Sequence, residues 1–379
     1  MSDVPSSTLT SRVRGSLERL AAAGLRDDEL RRDALDVLRR AIPVDGWAWA
    51  TADPSTGVAV SALADHPLAS AVPGLLCAED DATEVGRRAT LAASAIPVSA
   101  LSATTAGDLS ASRRWREYLA PHGIGDELRI VFADPSGLWG YLDLYTSGPS
   151  RYTPEHVTAG LVAARALTSA LRRSVLLTRD AGPAAAGPDA AGPVAADPDA
   201  PNDGGGSAGP PTADTMTARD RAVLLLDGDL RTTASAGPVA SWLSTLPTAP
   251  HDALPCAVTA TAVRALDGTV GSAARLRNSE GAWITVQADM LDTGGVAVSI
   301  GHSSPYEVLD LLGRAAALSA RERDVVQLLY LGYDTRGIAG RLHIAETTTQ
   351  DHIKKILAKS GRSSRRALLA SVFPPPGEV

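Results

Sequence analysis

Lysine is almost absent from this 379-residue sequence, because the three that occur, Lys354, Lys355 and Lys359, fall within six consecutive positions. The preceding residues therefore contain no GK[ST] phosphate-binding loop and no lysine that could form a Schiff base with pyridoxal phosphate. A phospho-acceptor receiver domain, whose pattern includes an active-site lysine, is excluded in the same way. The sequence thus rules out the commonest catalytic or phosphorylation-controlled N-terminal domains.

Cysteine and long apolar runs are also scarce. Cys77 and Cys256 lie 179 positions apart, which is typical of a reducing compartment and gives no metal-ligand spacing, so both are predicted to be small core residues. No run of eighteen apolar residues occurs, and the first twenty residues carry charge where a signal peptide needs an apolar block. We therefore expect a cytoplasmic protein without membrane contact. Its length and its 44% apolar content predict two or three globular domains.

Charge is divided unevenly along the chain. From Arg314 onward there are eleven basic and six acidic residues, a net charge of +5, whereas the preceding part has a net charge of −12. Any affinity for a polyanion must therefore be localised in the C-terminal segment. A basic segment can also be a solvated face without a partner, so charge by itself does not decide between these alternatives.

The clearest domain boundary is the stretch 180–214, which consists almost wholly of Ala, Gly, Pro and Asp. Such a composition cannot bury enough apolar area to offset the entropy of ordering the chain. We therefore predict a disordered linker over residues 180–216, which leaves residues 1–179 as one domain and residues 217–302 as another.

The first domain is predicted to be an α+β fold. Helical periodicity occurs at 11–23 and 27–42, strand patterns at 47–51 and 58–63, a hairpin at 127–133 and 138–146, and a closing helix from Thr153 to about 178. In order and length this resembles a GAF-type sensory domain, and the segment GLWGYLDLY at 137–145 is similar to the last core strand of such domains. No pocket residue can be named. Trp47, Trp49, Trp139 and Tyr141 can line a cavity or simply fill the core.

The second domain shows a strand at 222–227, a returning strand at 230–234, a short helix at 239–243, a hairpin that joins 273–277 to 283–288, and a strand at 296–300. This order is similar to a degenerate PAS-like α+β module, and an unrelated α+β linker domain is the alternative. Residues 303–317 are predicted to form a connecting helix.

The C-terminal residues 318–379 predict an all-α unit of four short helices. Ser319 and Asp334 are N-cap residues, and Gly332 ends the first helix. On the third helix, one side carries Thr349, Ile353, Ile356, Leu357 and Ser360 toward the core. The opposite side carries Thr347, Gln350, Asp351 and Lys354. One side can therefore pack while the other enters the major groove of DNA.

The exposed side predicts two kinds of DNA contact. Gln350 can pair with adenine, Lys354 with guanine, and Asp351 can accept from cytosine, with Thr347 also facing the bases. Six residues are better placed for phosphates, where they set affinity and not sequence preference. They are Thr348, Lys355, Lys359, Arg362, Arg365 and Arg366. A small bundle whose basic face is only solvated is the alternative.

The segment 318–372 resembles the LuxR-type, or NarL-like, helix-turn-helix of bacterial transcription regulators. The residues that carry this resemblance, in register without a gap, are Leu318, Arg321, Glu322, Val325, Leu328, Leu329, Gly332, Ile338, Ala339, Leu342, Ile344, Thr348, His352, Ile356, Lys359, Gly361 and Arg365. The resemblance implies binding to double-stranded DNA as a homodimer, with RNA polymerase as a further partner. It also implies that Leu368, Leu369 and Val372 of the fourth helix form the dimer interface, although they can instead complete the core.

Four positions depart from the family pattern. Ala345 replaces the usual Ser or Thr cap of the recognition helix, Thr349 and Gln350 replace a valine and a lysine, and Ser360 replaces a leucine. Loss of the cap costs about 1 kcal/mol of helix stability. The change to Gln350 indicates an altered operator preference. Gly340 in the second helix adds a penalty of about 1 kcal/mol relative to alanine.

The sequence therefore predicts a transcriptional regulator whose N-terminal domains sense a small-molecule effector or a protein partner and control DNA binding. In the alternative, these domains act only in protein interaction and dimerisation, without a ligand. An enzyme is not expected, because the histidines have no metal spacing and neither GxSxG nor HExxH occurs. No cofactor and no metal site are predicted.

Overall fold

The computed structural model describes residues 6–177, 221–249, 253–269, 271–292 and 294–370. The predicted linker at 180–216 and the predicted interface residue Val372 lie outside these ranges. Within them, two five-stranded antiparallel sheets precede a set of short helices. No helix in the described ranges is both long enough and apolar enough to cross a bilayer.

The first unit places three helices on one face of its sheet. Its elements are α1 Ser6–Ala22, α2 Asp27–Leu38, β1 Gly46–Ala52, β2 Ala59–Asp65, α3 Val72–Asp80, α4 Arg88–Ala92, β3 Val98–Ala100, α5 Leu101–Thr104, β4 Ile124–Asp134, β5 Gly137–Ser147 and α6 Pro154–Ser174. The strand order is β2-β1-β5-β4-β3. Helices α1, α2 and α6 pack on one face of this sheet around Trp49, Phe132 and Trp139. The rings of Trp49 and Phe132 stack with their centroids 5.3 Å apart.

The strands and helices predicted for the first unit occur close to the predicted bounds, whereas the segment between β2 and β4 was not predicted. Its helices α3, α4 and α5 are short and carry little apolar periodicity, which is the signal that sequence patterns use. Of the four aromatic residues left undecided, Trp49 and Trp139 lie in the core under the helices, and Trp47 packs against that core. Tyr141 lies on the opposite face of the sheet, with the second unit.

The second unit has the strand order β7-β6-β10-β9-β8. Its elements are β6 Ala222–Leu226, β7 Thr232–Ala236, α7 Val239–Thr245, α8 Cys256–Leu266, β8 Ser272–Arg277, β9 Trp283–Met290 and β10 Val296–His302. The predicted strands are confirmed, but α8 was missed. Its sequence CAVTATAVRAL is mostly small and apolar, and none of its residues is exposed, because the helix lies between its own sheet and the first unit. A helix without an exposed polar side is hard to recognise from sequence.

Five helices follow: α9 Pro305–Ala315, α10 Ala320–Tyr330, α11 Thr335–Leu342, α12 Glu346–Ser360 and α13 Arg365–Ala370. The connecting helix predicted at 303–317 corresponds to α9, which begins with a capping box between Ser304 and Glu307. Helix α9 packs against α10 and shares its apolar core. The last helix, α13, is the fourth helix predicted for the C-terminal unit.

A buried ion pair joins the units. Asp53, which follows β1, is 1% exposed and accepts two hydrogen bonds from the Arg275 guanidinium, at 2.8 Å from Nε and 2.9 Å from Nη2. Arg275 also donates from Nη1 to Asp310 of α9 at 3.0 Å. Burial opposes ionisation of Asp53, but the hydrogen bonds and the charge of Arg275 outweigh it and lower its pKa. Arg275 therefore connects both sheets to the helix that leads into the C-terminal unit.

Candidate nucleic-acid interface

Helices α10 and α11 hold α12 in place through capped ends and a shared core. The Ser319 hydroxyl accepts a hydrogen bond from the Glu322 backbone N–H at 3.3 Å, and Glu322 Oε2 accepts from the Ser319 N–H at 2.7 Å. Asp334 Oδ1 accepts from the Gly337 N–H at 2.7 Å and begins α11. These are the two N-caps that the sequence predicts. After α11, His343 adopts a left-handed conformation with φ of 53°, which turns the chain into α12.

Helix α12 has one buried side and one exposed side. Thr349, Ile353, Ile356 and Ser360 are at most 8% exposed and pack against the other helices, whereas Leu357 is only half-buried. The Ser360 hydroxyl donates to the Ile356 carbonyl at 2.8 Å, so a polar residue is accommodated where the family has leucine. The four residues predicted to face the bases share the opposite, exposed side. They are Thr347, Gln350, Asp351 and Lys354.

The residues predicted to face phosphates differ in their surroundings. Thr348, Lys355 and Arg366 are exposed. Arg365 donates from Nη2 to the Thr335 hydroxyl at 2.9 Å, so it connects α13 with the start of α11. Arg362 donates to the Leu176 carbonyl at 3.3 Å, next to the end of α6 in the first unit.

Lys359 is already paired within the chain. Its Nζ lies 2.6 Å from Glu322 Oε2, and the Glu322 side chain is 5% exposed. Burial opposes ionisation of Glu322, but the hydrogen bonds from Lys359 and from the Ser319 backbone outweigh it and lower its pKa. The sequence identified Glu322 only as part of the family pattern. Its position three residues after the Ser319 cap is the signal that marks it as structural.

The predicted dimer residues on α13, the fourth helix of the C-terminal unit, differ in how far they are buried. Leu368 is 6% exposed and belongs to the core formed by α9 to α12. Leu369 is half-buried. For Leu368 the structure thus agrees with the alternative that the residue completes the core, since a side chain this buried has little surface to offer a second copy of the chain.

Ala345 stands at the N-cap of α12 in an extended conformation, with φ of −68° and ψ of 151°, and provides no side-chain hydrogen bond. Replacing Ala345 with Ser is expected to stabilise the C-terminal unit by about 1 kcal/mol, because the new hydroxyl can accept from the first free amides of the helix. Urea unfolding of wild type and variant measures the difference. Ala358→Ser, an exposed interior position of the same helix, serves as the control and is expected to lower stability slightly. Equal stability of A345S and wild type contradicts the expectation.

Comparison with known families gives the same assignment for this segment. Residues 316–372 match the family model GerE, described as bacterial regulatory proteins of the luxR family. The C-terminal unit is therefore a LuxR-type helix-turn-helix domain, a DNA-binding unit of transcriptional regulators. The match covers α10 to α13 and does not extend to the two sheets.

Proposed function

We propose that this protein is a sequence-specific transcriptional regulator in which α12 reads DNA and the two N-terminal units control that binding in response to a small molecule or a partner. The first unit is assigned as a GAF-like sensory domain over residues 1–179 and the second as a PAS-like domain over 217–302. The regulator acts on double-stranded DNA as a homodimer. The observation that carries the DNA-binding proposal is the family match together with an exposed polar side on the recognition helix.

The exposed residues of α12 and α13 fall into two groups, those that can contact bases and those that can contact phosphates. Gln350 and Lys354 lie one helical turn apart and present an amide and an ammonium group, which pair with adenine and guanine edges in the major groove. Lys355 and Arg366 are exposed cations for the phosphate backbone. Lys359 and Arg362 reach phosphates only after they exchange their contacts to Glu322 and Leu176 for DNA.

The contacts between units support control by the N-terminal part. Trp283 of the second unit belongs to the apolar core of the helix-turn-helix domain, and Val175 and Leu176 of the first unit pack against the same core. Arg314 of α9 donates to the Ser136 carbonyl at 3.2 Å. A change in either sheet unit can therefore alter the population of DNA-competent arrangements, for which a free-energy difference of a few kcal/mol is sufficient.

Mapping of DNA occupancy across the source genome tests the proposal. Wild-type protein is expected to concentrate at a limited number of sites that share a short sequence, whereas a variant carrying Gln350→Ala and Lys354→Ala is expected to lose those sites. The same occupancy pattern for both proteins, or no enrichment at all, contradicts the proposal. The genes beside the sites then indicate the class of signal to which the N-terminal units respond.

A further inference from the structure

A cavity of about 170 Å³ lies on the face of the first sheet that α1, α2 and α6 leave uncovered. Its floor consists of alanines in two adjacent strands. Ala48 and Ala50 of β1 pair with Ala64 and Ala62 of β2, respectively, and all four line the cavity. Strand residues at such positions are normally large enough to fill the space above a sheet. Four small side chains therefore leave a space that can receive a molecule.

The side of the cavity along β5 is polar. Ala48 pairs with Asp143 and Ala50 with Tyr141, and Tyr145 lies two residues beyond Asp143. Tyr141 and Tyr145 both line the cavity and are 6% and 3% exposed, respectively. A tyrosine hydroxyl at the wall of a cavity can donate a hydrogen bond to a bound molecule or accept one from it.

His66 adds a hydrogen-bond donor to this side. Its Nδ1 accepts the Leu68 backbone N–H at 3.0 Å, so in the neutral ring the proton is on Nε2. Burial lowers the pKa of His66, which favours the neutral ring. The ring also lies edge-on to Tyr145 with centroids 5.9 Å apart. The polar side thus offers one imidazole N–H and two hydroxyl groups.

Most of the charges beneath the cavity are paired with one another. Arg88 lies 2.6 Å from Asp143 and 3.7 Å above the Tyr141 ring, and Arg129 lies 2.6 Å from Glu79. Burial opposes ionisation of Glu79, but the charges of Arg129 and Arg88 outweigh it and lower its pKa to about 2. The connected cluster holds three guanidinium groups and four carboxylates. Its members are Glu79, Glu84, Arg88, Arg114, Glu127, Arg129 and Asp143.

This charge balance selects among ligands. An anion meets a cluster with one excess carboxylate, and a cation must give up its hydration while every carboxylate of the cluster already has an arginine partner. Asp65, which also lines the cavity, is exposed, so water screens its charge. An uncharged head group with a hydroxyl or an amide avoids both costs and can bond to the tyrosines and His66. The volume of the cavity limits the apolar part of the ligand to about one six-membered ring, since a cavity of about 150 Å³ is sufficient for benzene.

The second unit closes the cavity from above. Ala249, Cys256 and Thr259 line it, and the last two belong to α8. The cavity is therefore shared by the two units, and a ligand in it contacts the first sheet and α8 at the same time. Neither unit alone provides the whole lining.

We propose that the cavity binds an uncharged compound with one six-membered ring and a hydroxyl or amide group, held between the alanine floor and α8. This inference rests on the proposed sensory function and names the class of effector. The ring lies over Ala48 and Ala50, and the polar group bonds to Tyr141, Tyr145 or His66. The ligand stabilises the contact between the first sheet and α8, which continues through Arg275 to α9.

Calorimetric titration of the full-length protein, without DNA, tests the proposal with phenol, benzoate and benzylammonium as probes. Phenol is expected to bind with a Kd of about 1 mM or tighter and about tenfold more tightly than either charged probe. Ala48→Leu fills the cavity and is expected to weaken phenol binding at least about tenfold. Ala22→Leu makes the same change at an exposed alanine of α1, outside the cavity, and is expected to leave binding unchanged.

Tyr145→Phe keeps the shape of the site if Ala48→Leu fails to fold. Loss of one hydrogen bond is expected to weaken phenol binding about two- to tenfold, while benzene binding is unaffected. The proposal is overturned if phenol does not bind, if a charged probe binds equally well, or if a correctly folded Ala48→Leu protein binds phenol as wild type does. Phenol binding that leaves DNA affinity unchanged supports this site. It contradicts only the proposal that the N-terminal units control DNA binding.

Discussion

Replacing Arg275 with Ala is expected to destabilise the protein by about 3–5 kcal/mol, which is the usual cost of removing one partner from a buried ion pair. Asp53 is 1% exposed and accepts two hydrogen bonds from the Arg275 guanidinium, so the variant leaves a buried carboxylate without a cationic partner. It keeps only the bonds from Ser55 and from the backbone N–H of residue 275. The same change removes the bond to Asp310 and so weakens the connection to α9. Urea unfolding followed by tryptophan fluorescence measures the loss.

Two further variants separate the ion pair from general effects of substitution. Arg231→Ala removes an arginine that is 75% exposed and paired with Asp229, and its expected effect is below about 0.5 kcal/mol. Combining Arg275→Met with Asp53→Ala removes both charges and is expected to recover much of the stability lost in the single variant. A loss below about 1 kcal/mol for Arg275→Ala contradicts the role of this pair in joining the units.

Lys354 and Lys355 are adjacent, exposed lysines on α12, and replacing each with Ala is expected to weaken DNA binding in a different way. In the proposed orientation of α12, Lys354 faces the bases, so its removal should cost about 1–3 kcal/mol at the preferred site and relax the preference at one position. In the same orientation, Lys355 faces the phosphates. Its removal should weaken binding to all sequences alike and reduce the slope of log K against log salt by about one.

Fluorescence anisotropy with labelled duplexes measures both properties for the two variants. Because the two lysines are neighbours with the same chemistry, differences in net charge or in expression cannot explain a divergence between them. Identical losses of affinity and identical salt slopes for the two variants argue against the orientation of α12 proposed above.

The sequence predicted the C-terminal unit in most of its detail because local signals coincide there. Ser319 and Asp334 are N-caps, Gly332 and Gly361 adopt left-handed conformations at helix ends, and the apolar spacing of α12 gives its buried side. Such signals depend on neighbouring residues and can be read without tertiary contacts. The strands of both sheets, except β3, were predicted for the same reason, through alternation and turn residues.

The cavity and the ion pairs between units were not predictable in this way. Asp53 and Arg275 are 222 positions apart, and nothing local marks either residue as a partner of the other. The alanines at 48, 50, 62 and 64 read as ordinary strand residues until the sheet register brings them together. Helix α8, which closes the cavity, has no exposed residue and therefore lacks the exposed polar side that marks a surface helix. These features depend on long-range packing, which a single sequence does not encode locally.

The most direct test of the central claim is a binding titration of the full-length protein with a duplex recovered from the occupancy map and with an unrelated duplex of equal length. At physiological salt, the recovered duplex is expected to bind at least about a thousandfold more tightly than the unrelated one. Equal affinity for the two duplexes, or no binding to any duplex even at low ionic strength, contradicts the assignment of α12 as a helix that reads DNA sequence.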